Sequence, residues 1–116
     1  SPDSTKVLTT SADKNAKIWD SQTGSELQLL TGHTGGIFNG CWSPDGMRVA
    51  TSSGDRNIKI WGVGAERGVT TIPETHMTIR PRWSPDGTRF FVASRADEGY
   101  VYDAKTKNRL QRIMFT

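Results

Sequence analysis

The sequence predicts an all-β chain of repeated four-stranded antiparallel units, and three observations predict it. Ser-Pro-Asp begins at Ser1, Ser43 and Ser84, so its copies stand 42 and 41 residues apart. An aromatic landmark keeps the same register, in Lys17-Ile18-Trp19-Asp20, Lys59-Ile60-Trp61-Gly62 and Tyr100-Val101-Tyr102-Asp103. No long stretch carries a 3.6-residue apolar period, so no helix is expected.

The middle copy shows the unit most completely. Ile37, Gly40 and Trp42 fall in a first strand, and Asp45-Gly46 supplies a tight turn. Arg48 to Ser52 makes a second strand, with Gly54 to Asn57 turning again. Ile58 to Trp61 is β-branched and aromatic, as a third strand requires. After a Gly-rich loop, Val69 to Ile72 supplies the fourth. Four strands in a repeat of this length make one blade of a β-propeller.

Three segments follow: residues 1–31 as a partial blade lacking its first strand, 32–73 as a complete blade, and 74–116 as a divergent blade ending on Arg109 to Phe115. A propeller ring closes with about four blades or more. Such an arc leaves two blade faces open, so the chain is expected either to belong with further blades of a longer chain or to self-associate to close the ring.

Over essentially its whole length the chain resembles the WD-repeat propellers. The residues that carry the resemblance are Gly32-His33, Ser43-Pro44-Asp45-Gly46, Ser53 with Asp55, and Lys59-Ile60-Trp61. Trp61-Gly62 departs from the family's Trp-Asp, and the third copy has Tyr102-Asp103, no Gly-His, and His76 two positions out of register. Trp83 to Arg89 also suits a bacterial type of propeller, found in accessory or enzyme domains, but Gly32-His33 and the Lys-Ile-Trp strands favour the WD type.

His33, Ser53 and Asp55 invite a reading as a catalytic triad. The resemblance implies instead a structural relay of His33, Ser53, Asp55 and Trp61, partly copied at Ser11, Asp13 and Trp19. Repetition of this kind serves a scaffold and not an active site. Asp45-Gly46 and Asp86-Gly87 are hairpin turns whose carboxylates serve local amides, and no further carboxylates cluster at ligand spacing, so no metal is expected. Nor is a cofactor, since no phosphate-cradling Gly-Lys-Ser/Thr loop occurs.

The longest apolar run, Phe90 to Ala93, is far too short to span a bilayer as a helix, and no membrane association is expected. One cysteine, Cys41, permits no internal disulfide, which favours an intracellular setting, cytoplasmic or nuclear. The net charge of +3 sits in the third copy, which holds eight basic and five acidic residues. Arg80 and Arg82 share one face of a strand, with Arg95 in a nearby turn.

The resemblance implies a non-enzymatic interaction scaffold for protein partners or peptides. The binding residues expected are Lys14, Thr34, Ile37, Phe38, Arg56, Asn57, His76, Arg80, Arg82 and Arg95, on strand-leading loops and second-to-third-strand turns. The alternative is an RNA-associated role for the basic third copy, which lacks the interleaved aromatics that read bases.

Overall fold

A computed structural model of the chain describes residues 1–64, 67–74, 78–95 and 97–114, with the backbone alone at 78 and 79. Eleven strands and no helix are present among them. β1 (Lys6–Thr10), β2 (Ala16–Asp20) and β3 (Glu26–Leu30) form a three-stranded antiparallel sheet. β4 (Ile37–Trp42), β5 (Arg48–Ser53), β6 (Asn57–Gly62) and β7 (Val69–Pro73) form the second sheet. β8 (Thr78–Trp83), β9 (Arg89–Ser94), β10 (Glu98–Asp103) and β11 (Arg109–Met114) form the third, again as a meander.

Ser-Pro-Asp sets the turns. The serine hydroxyl donates to the aspartate carboxylate two residues on, at 2.8 Å from Ser1 to Asp3, 2.6 Å from Ser43 to Asp45 and 2.7 Å from Ser84 to Asp86. The same carboxylates accept the amides of Thr5, Met47 and Thr88. All three carboxyls lie below the usual range, chiefly through the Thr5 amide at Asp3, the Ser43 hydroxyl at Asp45 and the Thr88 amide at Asp86. The next residue must be left-handed, with φ of 71° at Gly46 and 73° at Gly87. The first copy places Ser4 there at 63°.

Alternation then gives each sheet two apolar faces, and the second and third blades each pack one of them on the blade before. Ala16, Ile18 and Leu30 of the first blade bury against Ile37, Val49 and Trp61 of the second, with Leu8, Trp42 and Val63 at the margin. Ala50, Ile58, Ile60 and Ile72 on the other side of the second blade meet Phe90, Val92, Tyr100, Tyr102 and Ala104 of the third.

Polar ties fix the blades' register. The Gln28 amide donates to Gly62 O at 2.9 Å and accepts from Gly64 N at 3.3 Å, and the Trp83 indole donates to Cys41 O at 3.2 Å. Beyond the two interfaces, Val7 and Leu29 remain 46% and 48% exposed on the first blade, and Leu110 and Met114 49% and 53% exposed on the third. On that blade the Phe91 ring lies across Gly99, where a Cβ would collide with it.

Candidate functional site

The ends of the sheets that carry the loop before β4 and the β5–β6 turn form one surface, here the upper face. His33 and Asp55 meet there. The His33 Nδ1 lies 2.9 Å from Asp55 Oδ2, and its Nε2 lies 2.7 Å from Thr51 Oγ1, which also accepts the Trp61 indole N–H at 2.8 Å. An indole nitrogen only donates, so the Thr51 hydroxyl accepts from it and passes its own proton toward Nε2. The imidazole proton therefore resides on Nδ1, pointing at the carboxylate. One neutral tautomer satisfies the whole chain of bonds.

Burial pulls the His33 pKa below its ordinary value, against the opposing pull of the Asp55 hydrogen bond, which agrees with a neutral ring. At Asp55 burial pushes the carboxyl up, but the donors His33, Asn57 N and Thr34 N outweigh it and the net shift is downward.

Thr51, and not Ser53, links ring to indole. The WD-repeat resemblance implies Ser53 in that place. Its hydroxyl instead donates to Gly35 O at 2.9 Å and accepts Asp55 N at 3.1 Å, pinning the turn to the loop. The approach is so close that a Cβ on Gly35 would lie 2.7 Å from Asp55 N.

The first blade repeats the set in part. Trp19 donates to Thr9 Oγ1 at 2.9 Å, Asp13 N donates to Ser11 Oγ at 3.2 Å, and Asn15 N donates to Asp13 Oδ1 at 3.0 Å. Thr9 and Thr51 stand 42 residues apart, so the repeat contained the signal for the missed hydroxyl. Asp13 is exposed, and among the described residues no imidazole reaches it.

The third blade holds a different network, which sequence reasoning missed. Val92 and Tyr102 stand where the second blade has Thr51 and Trp61, and both are buried. Arg109 donates to Glu74 at 2.8 Å and to the Tyr102 hydroxyl at 3.3 Å, with its guanidinium carbon 3.9 Å from the Tyr100 ring centre. Tyr100 donates to Glu98 at 2.6 Å, and Arg112 donates to the same carboxylate at 2.5 Å. In the first two blades Lys17 and Lys59 stand over Trp19 and Trp61. In the third a tyrosine takes the lysine's place and the cation comes from β11.

The expected binding residues separate into several places. Phe38 is the extra residue of a β-bulge between Ile37 and Asn39, which turns its ring outward to 40% exposure. The guanidinium of Arg95, from the next blade, stands 5.6 Å from that ring's centre. Lys14 and Arg56 occupy equivalent left-handed positions, φ 79° and 67°, and both are exposed. The third copy's equivalent is the acidic Asp97, φ 58°, which the sequence reading did not single out.

Thr34 is exposed and Asn57 half-buried on the same loops. Ile37 corrects the expectation: it is 6% exposed and packs in the core between the first two blades, because it already lies on β4 and faces inward. Arg80 is exposed on β8. Arg82 lies further along that strand, opposite Phe91, and borders an apolar hollow with Trp83, Phe91 and Val101. His76 lies outside the described residues.

No helix among the described residues is long and apolar enough to cross a membrane. Comparison with known proteins finds the family model for the WD domain, G-beta repeat, matching residues 1–20 and 24–62. Mitogen-activated protein kinase kinase kinase A of Dictyostelium discoideum is 54% identical over 33 residues, which are 28% of this chain and 4% of that protein's length. WD repeats generally form protein-interaction scaffolds. With the family model covering half of the chain, and the blades and their hydrogen-bonded tryptophans in place, this chain belongs to the WD-repeat family.

Proposed function

We propose that this chain is a non-enzymatic segment of a WD-repeat propeller whose upper face receives an acidic peptide or domain of a protein partner. The observation that carries the reading is Phe38. A bulge turns an aromatic side chain out to solvent beside the loops of two blades, and Arg95 of the neighbouring blade stands over its ring. Exposed aromatic and arginine side chains together are the residue types that dominate binding energy at protein interfaces. Lys14 and Arg56 rise from the same face, and Arg80 lies on the adjoining strand of the third blade.

The hydroxyl, imidazole and carboxylate of the relay support a structural role. Thr51 is 0% exposed and its hydroxyl serves both ring and indole, while Ser53 is bonded to backbone. Neither presents a nucleophile to substrate.

The test is fluorescence anisotropy of labelled Asp/Glu-rich peptides against the full-length protein, with Phe38→Ala and Arg95→Ala variants. Each substitution is expected to weaken binding by about tenfold, the roughly 1–2 kcal/mol carried by the minority of interface residues that matter most. Raising salt is expected to weaken it further, because screening shortens the reach of exposed charges. Unchanged peptide affinity in both variants, or a loss confined to RNA retention, sinks the reading.

A further inference from the structure

The lower face, at the opposite ends of the same strands, holds a feature that partner docking on the upper face does not use. Arg48 begins β5 of the second blade, and Lys107 sits in the β10–β11 turn of the third. Their side chains converge on one acceptor, the carbonyl of Ala104: Arg48 donates to it at 3.4 Å, and Lys107 donates to it as well. With Gly62, Gly68 and Thr70 they border a cleft of about 170 Å³ between the blades.

We propose that this cleft binds a phosphoryl oxyanion, with Arg48 and Lys107 as the groups that hold it. A carbonyl oxygen is neutral and leaves two like charges uncompensated at close quarters. A lysine ammonium has three N–H donors and a guanidinium five, and the Ala104 carbonyl takes one from each. Neither cation forms an ion pair among the described residues.

Among the described residues, the acids whose charge is felt at these cations, Asp103 at Lys107 and Asp45 at Arg48, are engaged in their own turns. Asp103 Oδ1 accepts the amides of Lys105 and Thr106, and Asp45 Oδ1 accepts the Ser43 hydroxyl and the Met47 amide. Burial, and after it the charge of Arg48, pulls Lys107 below the ordinary lysine value, a strain that an anion in the cleft relieves.

Two fixed cations match a phosphoryl group, which carries about −1.5 to −2 at pH 7, better than a carboxylate with its single charge. Arginine adds a planar fork suited to two phosphate oxygens. Lys107 is held in place by its turn, where its φ is 63° and its amide donates to Asp103 O at 2.8 Å. The site therefore exists only where two blades meet.

The experiment is isothermal titration of the full-length protein with inorganic phosphate at constant ionic strength, chloride replacing phosphate in the control. Saturable binding is expected, weakened about tenfold or more by Lys107→Met and by Arg48→Met, and retained by the charge-conserving Lys107→Arg. A phosphoserine peptide titrated alongside its serine counterpart identifies the source: tighter binding than inorganic phosphate points to a phosphorylated partner, and equal binding to free phosphate.

Phe38→Ala and Arg95→Ala are expected to leave phosphate binding unchanged, so this inference and the upper-face reading fail separately. Absence of saturable heat, or equal binding by wild type and both methionine variants, which means an adventitious ion only, overturns the proposal. Glu66, an acid between β6 and β7 in the sequence and outside the described residues, provides one more control. Binding that appears only in Glu66→Gln shows that the cations are neutralised from within, and overturns it too.

Discussion

Thr51→Val removes one buried oxygen and leaves the shape of the side chain almost unchanged, which makes it the sharpest probe of the relay. Two hydrogen bonds are lost, the 2.8 Å bond from Trp61 and the 2.7 Å bond to His33. The larger effect is what remains: a buried indole N–H and a buried imidazole nitrogen, each without its partner. Unsatisfied buried groups cost about 1–3 kcal/mol each, so a loss of roughly 2–4 kcal/mol is expected once small ring movements are allowed.

Two internal comparisons calibrate this figure. In the first blade the same bond joins Trp19 to Thr9 at 2.9 Å, but Thr9 is exposed. Water replaces the lost hydroxyl there, and Thr9→Val is expected to change stability by no more than about 0.5 kcal/mol. In the third blade valine is native, as Val92, where among the described residues no indole or imidazole waits for a hydroxyl.

Urea unfolding of the full-length protein, with the slope held common across variants, gives the difference. If Thr51→Val and Thr9→Val shift the midpoint equally, the claim that the Thr51 hydroxyl satisfies two buried groups is wrong.

Lowering the pH tests the same relay by another route. The folded pKa of His33 lies below its unfolded value, so between the two the unfolded chain binds more protons, and stability falls as pH drops below about 6.5. Asp55, also depressed, adds a second loss as pH falls below about 4 through its folded value; a thermal midpoint flat from pH 7.5 to 5.5 contradicts the His33 part. Asp55→Ala strands the amides of Thr34 and Asn57 and is expected to destabilise by roughly 1–3 kcal/mol by urea titration, with no effect if the carboxylate is dispensable. Arg109→Met removes the guanidinium from the buried Glu74 carboxylate and from the Tyr100 ring; a loss of about 2–3 kcal/mol is expected, and a stabilised variant counts against the network. Purified by itself, the 116-residue chain is expected to be poorly soluble or multimeric by light scattering, because Val7, Leu29, Leu110 and Met114 stay exposed; a well-folded monomer with a cooperative melt contradicts this.

The local architecture is legible in the order of neighbouring residues. Hairpins depend on a few residues in fixed order, so Ser43-Pro44-Asp45-Gly46 and its period-related copies announced the turns. The β-branched and aromatic run Ile58 to Trp61 marks a strand between them. All eleven strands were legible for that reason, as were His33, Asp55 and Trp61, whose spacing follows the repeat.

Which groups meet follows from the packing of blade on blade. Thr51 and Ser53 share one face of β5, and alternation cannot say which hydroxyl the indole reaches; strand register and ring length choose Thr51. A one-residue bulge, invisible in composition, buries Ile37 and exposes Phe38. Arg95 meets Phe38, Arg48 meets Lys107 at Ala104, and Arg109 meets Glu74 across distances in sequence that no local pattern spans. The physical reason is that backbone turns are governed by neighbouring residues, whereas these side chains are brought within reach only when one sheet packs on the next, at a registry set by the summed packing of both faces.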